Sequence, residues 1–153
     1  MSIEGELRLD RKALRPRSLY LLYIAAHALR SELEQKLRPL GITGVHYSIL
    51  AMIESNGGMS STEVARRFFV TPQTMNETII AMERQDLLKR HKDPSNARSR
   101  IIRLTSHGAE TLATCESLND DVEASAFACL EDAELAMLRR LTDRVFTARL
   151  KRD

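Results

Sequence analysis

The chain has 153 residues, 43% of them hydrophobic and 29% charged, which suits one globular unit or two intimately packed subdomains with a sizeable core. Its formal net charge is only +2, so affinity for nucleic acid would have to come from where the basic residues sit, since the total is too small. The longest charge-free apolar run, Leu19 to Leu29, has 11 residues and includes His27, well short of the ~20 that span a bilayer. Glu4, Glu6 and Asp10 interrupt the start where a signal peptide would be apolar. A cytoplasmic protein with no membrane partner is expected.

Residues 1–15 alternate charges with isolated leucines and read as a mobile or loosely docked arm. From Ser18, Leu19, Leu22, Tyr23, Ala26, Leu29, Leu33 and Leu37 recur at helical spacing, and Pro39 and Gly41 mark the end of a long helix. Its first half is apolar on the other side as well, through Leu21, Ile24, Ala25 and Ala28. One small domain could not cover both sides, so a second chain is the natural cover. Thr43 caps a second helix with Val45, Ile49, Met52 and Ile53 as its inner face, and Asn56-Gly57-Gly58 stops it.

Ser60 and Glu63 have capping-box spacing ahead of Val64, Ala65 and Phe68, which predicts a short helix. About three residues later Thr71 and Pro72 open another, as N-cap and first helical residue. There Met75, Ile79 and Met82 face a core, while Gln73, Asn76, Glu77 and Ile80 share the outer face. Two short helices in so tight a succession form a helix-turn-helix pattern. Outward Gln and Asn amides suit base edges in a DNA major groove, where each can make a two-pronged contact with adenine. Asp86 stands where a left-handed cap would favour glycine. Leu87–Lys92 and Arg100–Thr105 then read as two strands around DPSNARS, a hairpin loop too long for a two-residue turn. Between Arg84 and Arg103 seven Lys or Arg face two acids, a local excess of five in a chain whose total is two. That concentration beside an amide-bearing helix is the footprint that phosphates require.

Thr105 caps a further helix with a stripe of Ala109, Leu112, Cys115 and Leu118 or Asn119 running towards Phe127. Glu131, Asp132 and Glu134 precede a final helix whose apolar face is Leu135, Leu138, Leu141, Val145 and Ala148. Cys115 and Cys129, if on one helix, lie about 21 Å apart, beyond disulfide reach, and read as small buried hydrophobes. His27, His46, His91 and His107 have no ligand-like spacing, so neither a metal nor another cofactor is expected. No phosphate-cradling Gly loop, nucleophile elbow or framed pair of carboxylates suggests an enzyme.

The stretch VTPQTMNETIIAMERQDLLKRHKDPSNARSRIIRLTSHG resembles the MarR family of bacterial transcription regulators. Thr74 matches the family's frequent Thr, Leu87 and Leu88 its apolar pair opening the wing, and Asp93 and Pro94 its loop start. Arg98 matches the wing-tip Arg, and Leu104, Thr105 and Gly108 the exit. Glu77 and Asn96 depart from the pattern, standing where many members carry a basic or small polar residue and a wing acid. The resemblance covers roughly residues 16–150. It implies a mainly α fold, with a winged helix-turn-helix over about 43–105 and dimerisation helices over about 16–38 and 106–150. It also implies a homodimer on double-stranded, near-palindromic operator DNA. Gln73, Thr74 and Asn76 would then reach base edges, while Glu77 beside them, repelled by phosphate unless it accepts from cytosine or is neutralised by a neighbouring Arg, would select register or oppose wrong sites. Arg98 would enter the minor groove, and Lys89, Arg90 and Arg100 would hold the backbone. A small-molecule effector, often aromatic in the family, would bind between the dimer helices and the winged domain. Tyr20, Tyr23, His27, His46 and Tyr47 are the aromatic, polar-tipped residues expected to line that crevice. The alternatives are a winged-helix protein-interaction adaptor and a redox-sensing regulator using Cys115 or Cys129.

Overall fold

The computed structural model describes residues 17–150, so the proposed arm at 1–15 lies outside the described residues. A long helix α1 (Ser18–Leu37) ends in a 3₁₀ turn, Arg38–Leu40, and is followed by α2 (Gly44–Ser55), α3 (Ser61–Arg67) and α4 (Pro72–Arg84). The hairpin β1 (Leu88–Asp93) and β2 (Asn96–Leu104) leads into α5 (Ser106–Ala126) and α6 (Asp132–Leu150). The architecture is mainly helical with one two-stranded antiparallel sheet, and Met59 adds an isolated bridge to Ile102.

The local signals act as the residue types dictate. Thr43, Thr71 and Thr105 each accept, through their side chains, from the amide three residues on, satisfying a donor that has no partner inside the helix. Ser60 and Glu63 close a reciprocal capping box: the Ser60 amide and hydroxyl both donate to Glu63 Oε2 at 2.8 Å. Those bonds hold the Glu63 carboxyl below its ordinary pKa. Asp86 adopts φ 55°, the left-handed conformation that ends α4, and Phe69 does the same between α3 and α4 with φ 54°. Phe69 carries no sequence signal for this, since a bulky residue rarely occupies that region.

One core joins the elements. Leu37, Ile49, Leu50, Ile53, Val64, Ile79, Met82, Leu87, Ile102 and Cys115 are fully buried at its centre, so α2 is held among α1, α5 and β2. Two details of the expected inner faces are corrected. On α2 the buried stripe is Ile49, Leu50 and Ile53, while Val45, one turn before Ile49, is exposed where α2 borders the open crevice described below. On α5 Ala109 is exposed, and Gly108 begins the buried stripe that continues through Leu112, Cys115 and Val122.

The hairpin corrects a third expectation. Its strands reach further than their β-branched content suggested and meet in a two-residue turn at Pro94 and Ser95. The extra length sits inside β2: Lys92 pairs with Arg100 but Asp93 pairs with Asn96, leaving residues 97–99 as a bulge. Side chains stabilise both features. Asp93 Oδ1 accepts from the Ser95 amide at 2.8 Å and its hydroxyl at 2.7 Å, and Asn96 Oδ1 accepts from the Arg98 amide at 3.1 Å. The Ser95 bonds lower the Asp93 pKa.

Candidate nucleic-acid interface and adjoining crevice

Helix α4 turns Met75, Ile79 and Met82 into the core and leaves Gln73 and Glu77 exposed, with Asn76 and Ile80 partly so. The expected outer face therefore forms as one surface. Gln73 Nε2 lies 3.5 Å from Glu77 Oε1, at the outer limit of a hydrogen bond. Among the described residues no Lys or Arg forms an ion pair with Glu77. Thr74 takes a different side. Its hydroxyl lies 2.9 Å from that of Thr71, and the residue lines the crevice described below together with Thr78, one turn further on.

The wing flanks this face. Lys89, Arg98 and Arg100 are exposed, as are Arg84, Lys92 and Arg103, so the basic excess is presented to solvent. The bulge at 97–99 takes Arg98 out of the ladder just after the turn at Pro94 and Ser95, a placement that no strand period encodes. Arg90 is the exception. It is half-buried, and its guanidinium reaches back to α4, donating to Asn76 Oδ1 at 2.8 Å and Glu83 Oε2 at 3.2 Å.

Behind α4 lies a cavity of roughly 770 Å³ between the helix-turn-helix and the long helices. Leu29, Arg30 and Leu33 come from α1, Val45, Tyr47 and Ser48 from α2, and Phe68 and Val70 from the turn. Thr74, Met75 and Thr78 come from α4, and Asn119, Val122, Glu123 and Phe127 from α5 and its end. Its walls are mostly apolar, with Arg30 and a few hydroxyls and amides among them, as small-molecule sites commonly are. Burial raises the Tyr47 pKa, with Glu116, Cys115, Asp120 and Glu123 adding to the effect, so its phenol stays a donor. Glu123 is paired with Arg139 of α6 at 2.9 Å.

Of the five aromatic and histidine residues expected in a crevice, only Tyr47 lines this one. Tyr20, Tyr23 and His27 are exposed on the first half of α1, where the Tyr23 and His27 rings stack with centroids 6.2 Å apart. His46 lies on α2 outside the cavity lining, partly buried with an unpartnered Nδ1. Burial lowers its pKa, and Glu34 only partly offsets this. Sequence reasoning missed Arg30, Ser48, Thr78, Asn119 and Glu123. Thr78 alone had a local signal, its spacing of one turn from Thr74; the others meet only through the crossing of distant helices.

Cys115 is fully buried, and burial, helped by Glu116, raises its pKa, which keeps it a thiol. Cys129 is exposed beyond the end of α5, where it does not act as a buried hydrophobe as expected. Among the described residues no three His, Cys, Asp or Glu converge on a metal site, and no helix is long and apolar enough to cross a membrane.

Two short capped helices, the second with a polar outward face, followed by a basic hairpin and set between long helices, define a winged helix-turn-helix protein. The MarR family profile matches residues 40–99. The transcriptional repressor Rv2887 of Mycobacterium tuberculosis is 31% identical over 126 residues, covering 82% of this chain and 91% of the relative. Rv2887 in complex with salicylic acid superposes with a TM-score of 0.69 at 30% identity, covering 84% of this chain and 96% of that one. MarR of Escherichia coli in its apo form gives a TM-score of 0.73 at 21% identity, covering 84% and 96%. The chain belongs to the MarR family of transcriptional regulators.

Proposed function

We propose that the protein is a homodimeric, cytoplasmic repressor that places two α4 helices in successive major grooves of a near-palindromic operator, about one helical turn apart. The observation that carries this reading is the outward face of Gln73, Asn76 and Glu77 set beside the exposed basic wing. Lys89 and Arg100 hold phosphates, and Arg98, raised on the bulge, enters the minor groove. Thr74 stands at the edge between groove and crevice. Dimerisation uses the apolar faces that α1 and α6 leave exposed in the single chain, including Leu19, Tyr23, Val145 and Phe146.

The crevice takes a small aromatic acid. Its apolar walls suit a ring, Arg30 suits a carboxylate, and the Tyr47 phenol and the Thr74 and Thr78 hydroxyls suit the remaining polar atoms. The binding of salicylic acid by the relative Rv2887 supports this chemistry. A ligand there touches the recognition helix itself, so it shifts the position of α4 directly; affinity changes to the extent that it binds one arrangement better than the other.

Selection of bound sequences from a random duplex pool tests the DNA reading. A two-fold consensus with half-sites about one turn apart is expected, and no enrichment over the starting pool would overturn it. For the crevice, salicylate should raise the melting temperature of the protein but not of an Arg30→Ala variant. No shift with salicylate or other aromatic acids would sink that part.

A further inference from the structure

Arg90 pairs with Ile102 across the hairpin, so its side chain shares a face with a fully buried residue and points towards the body of the protein. Every other Lys and Arg from Arg84 to Arg103 is exposed. From the inner face the guanidinium spans two turns of α4, with one nitrogen on Asn76 Oδ1 at 2.8 Å and Nε on Glu83 Oε2 at 3.2 Å. Glu83 balances the charge, and the two bonds fix the fork in one orientation.

The consequence falls on Asn76. An arginine offers only donors, so the atom of the carboxamide facing it has to be the oxygen, and the amide hydrogens are directed elsewhere. The two-pronged adenine contact needs both ends of the carboxamide turned to one base edge, donating to N7 and accepting from N6. The bond to Arg90 occupies one of the two lone pairs of the Asn76 oxygen and fixes the rotation of the carboxamide, whereas neither amide hydrogen has a partner among the described residues, which biases Asn76 towards donating.

We infer that Arg90 is a positioning residue for sequence readout. It holds Asn76 as a donor, so that Asn76 reads a base edge carrying acceptors, guanine with its adjacent O6 and N7 above all, in preference to adenine. This rests on the DNA-binding reading and adds to it the base class taken by one residue. It also removes Arg90 from the set of free phosphate ligands.

The test is selection from a random duplex pool by the unaltered protein, Asn76→Ala and Arg90→Met, with thermal melting as the check on folding. Asn76→Ala should flatten one position per half-site, and in the unaltered protein that position should be guanine. Arg90→Met, which keeps the stem and removes the donors, should lower the guanine preference there by roughly tenfold and admit adenine, leaving the preferences at other positions in place. If Arg90→Met does not melt cooperatively, Arg90→Lys is read instead, because an ammonium cannot reproduce the two-partner fork. A merely structural or phosphate-binding Arg90 would weaken all sequences alike and keep the guanine preference, and that result overturns the inference. So does an adenine at the Asn76 position in the unaltered protein, or an Asn76→Ala variant that flattens nothing. Failure of the unaltered protein to enrich any sequence is a separate outcome, which removes the DNA reading and this inference with it.

Discussion

Gly108 shows how a single residue can be dictated by a neighbour distant in sequence. A Cβ there would overlap the Leu87 carbonyl oxygen and stand 2.9 Å from its carbon, because the first turn of α5 lies directly on the backbone that links α4 to β1. Thr105 fastens that approach, its amide donating to the Leu87 carbonyl at 3.1 Å and its hydroxyl to that of Asp86. Gly108→Ala should therefore cost about 1–3 kcal/mol in denaturant melting; an unchanged midpoint would show that α5 can shift at no expense. His46 gives a pH dependence. Its folded pKa lies below its ordinary 6.5, so the unfolded chain takes up the proton first as the solution is acidified. This contribution is fully present above that value and is lost as pH falls through it towards the folded pKa. Thermal melts should show stability declining on that side, with a shallower decline in His46→Gln. An identical decline in the variant would assign the effect elsewhere.

At the scale of elements, the helices were the most legible part. Thr43, Ser60, Thr71 and Thr105 cap them where their side chains predict, since capping is a bond to an amide three residues away and needs no tertiary partner. The hairpin was less legible. The turn formers of Asp93 to Ser99 predict a loop, yet the same Asp and Asn side chains stabilise a tight turn and a bulge, and β1 supplies the ladder. The bulge matters for the wing. Arg98, exposed within it, should act as a separate charge on DNA, so Arg98→Ala should weaken operator binding and reduce the slope of log K against log salt by about 1. An unaltered slope, measured by fluorescence anisotropy over a salt series, would remove Arg98 from the interface. The candidate site was only partly legible at this scale. Gln73, Asn76 and Glu77 share a face as the helical period requires, but only the packed hairpin shows that Asn76 is engaged by Arg90 and that Thr74 belongs to the crevice wall.

At the scale of the whole molecule, two long helices leave apolar surface without a partner in the single chain: Leu19 is 81% exposed on α1, and Val145 58% and Phe146 59% on α6. A second copy of the chain is the proposed cover, and Val145→Asp should then shift the protein from dimer to monomer in sedimentation and weaken operator binding. A monomeric unaltered protein would contradict the proposal. The sequence by itself determined the elements, their caps, the basic wing and the outward amide face, because each rests on interactions within a few residues along the chain. Only the tertiary structure decided which amide the hairpin engaged, where Val45 and Ala109 faced, and which side chains enclosed the crevice. Those depend on helices and strands crossing at particular places, and residues far apart in the chain, such as Arg30 and Phe127, become neighbours only once the core they flank has packed.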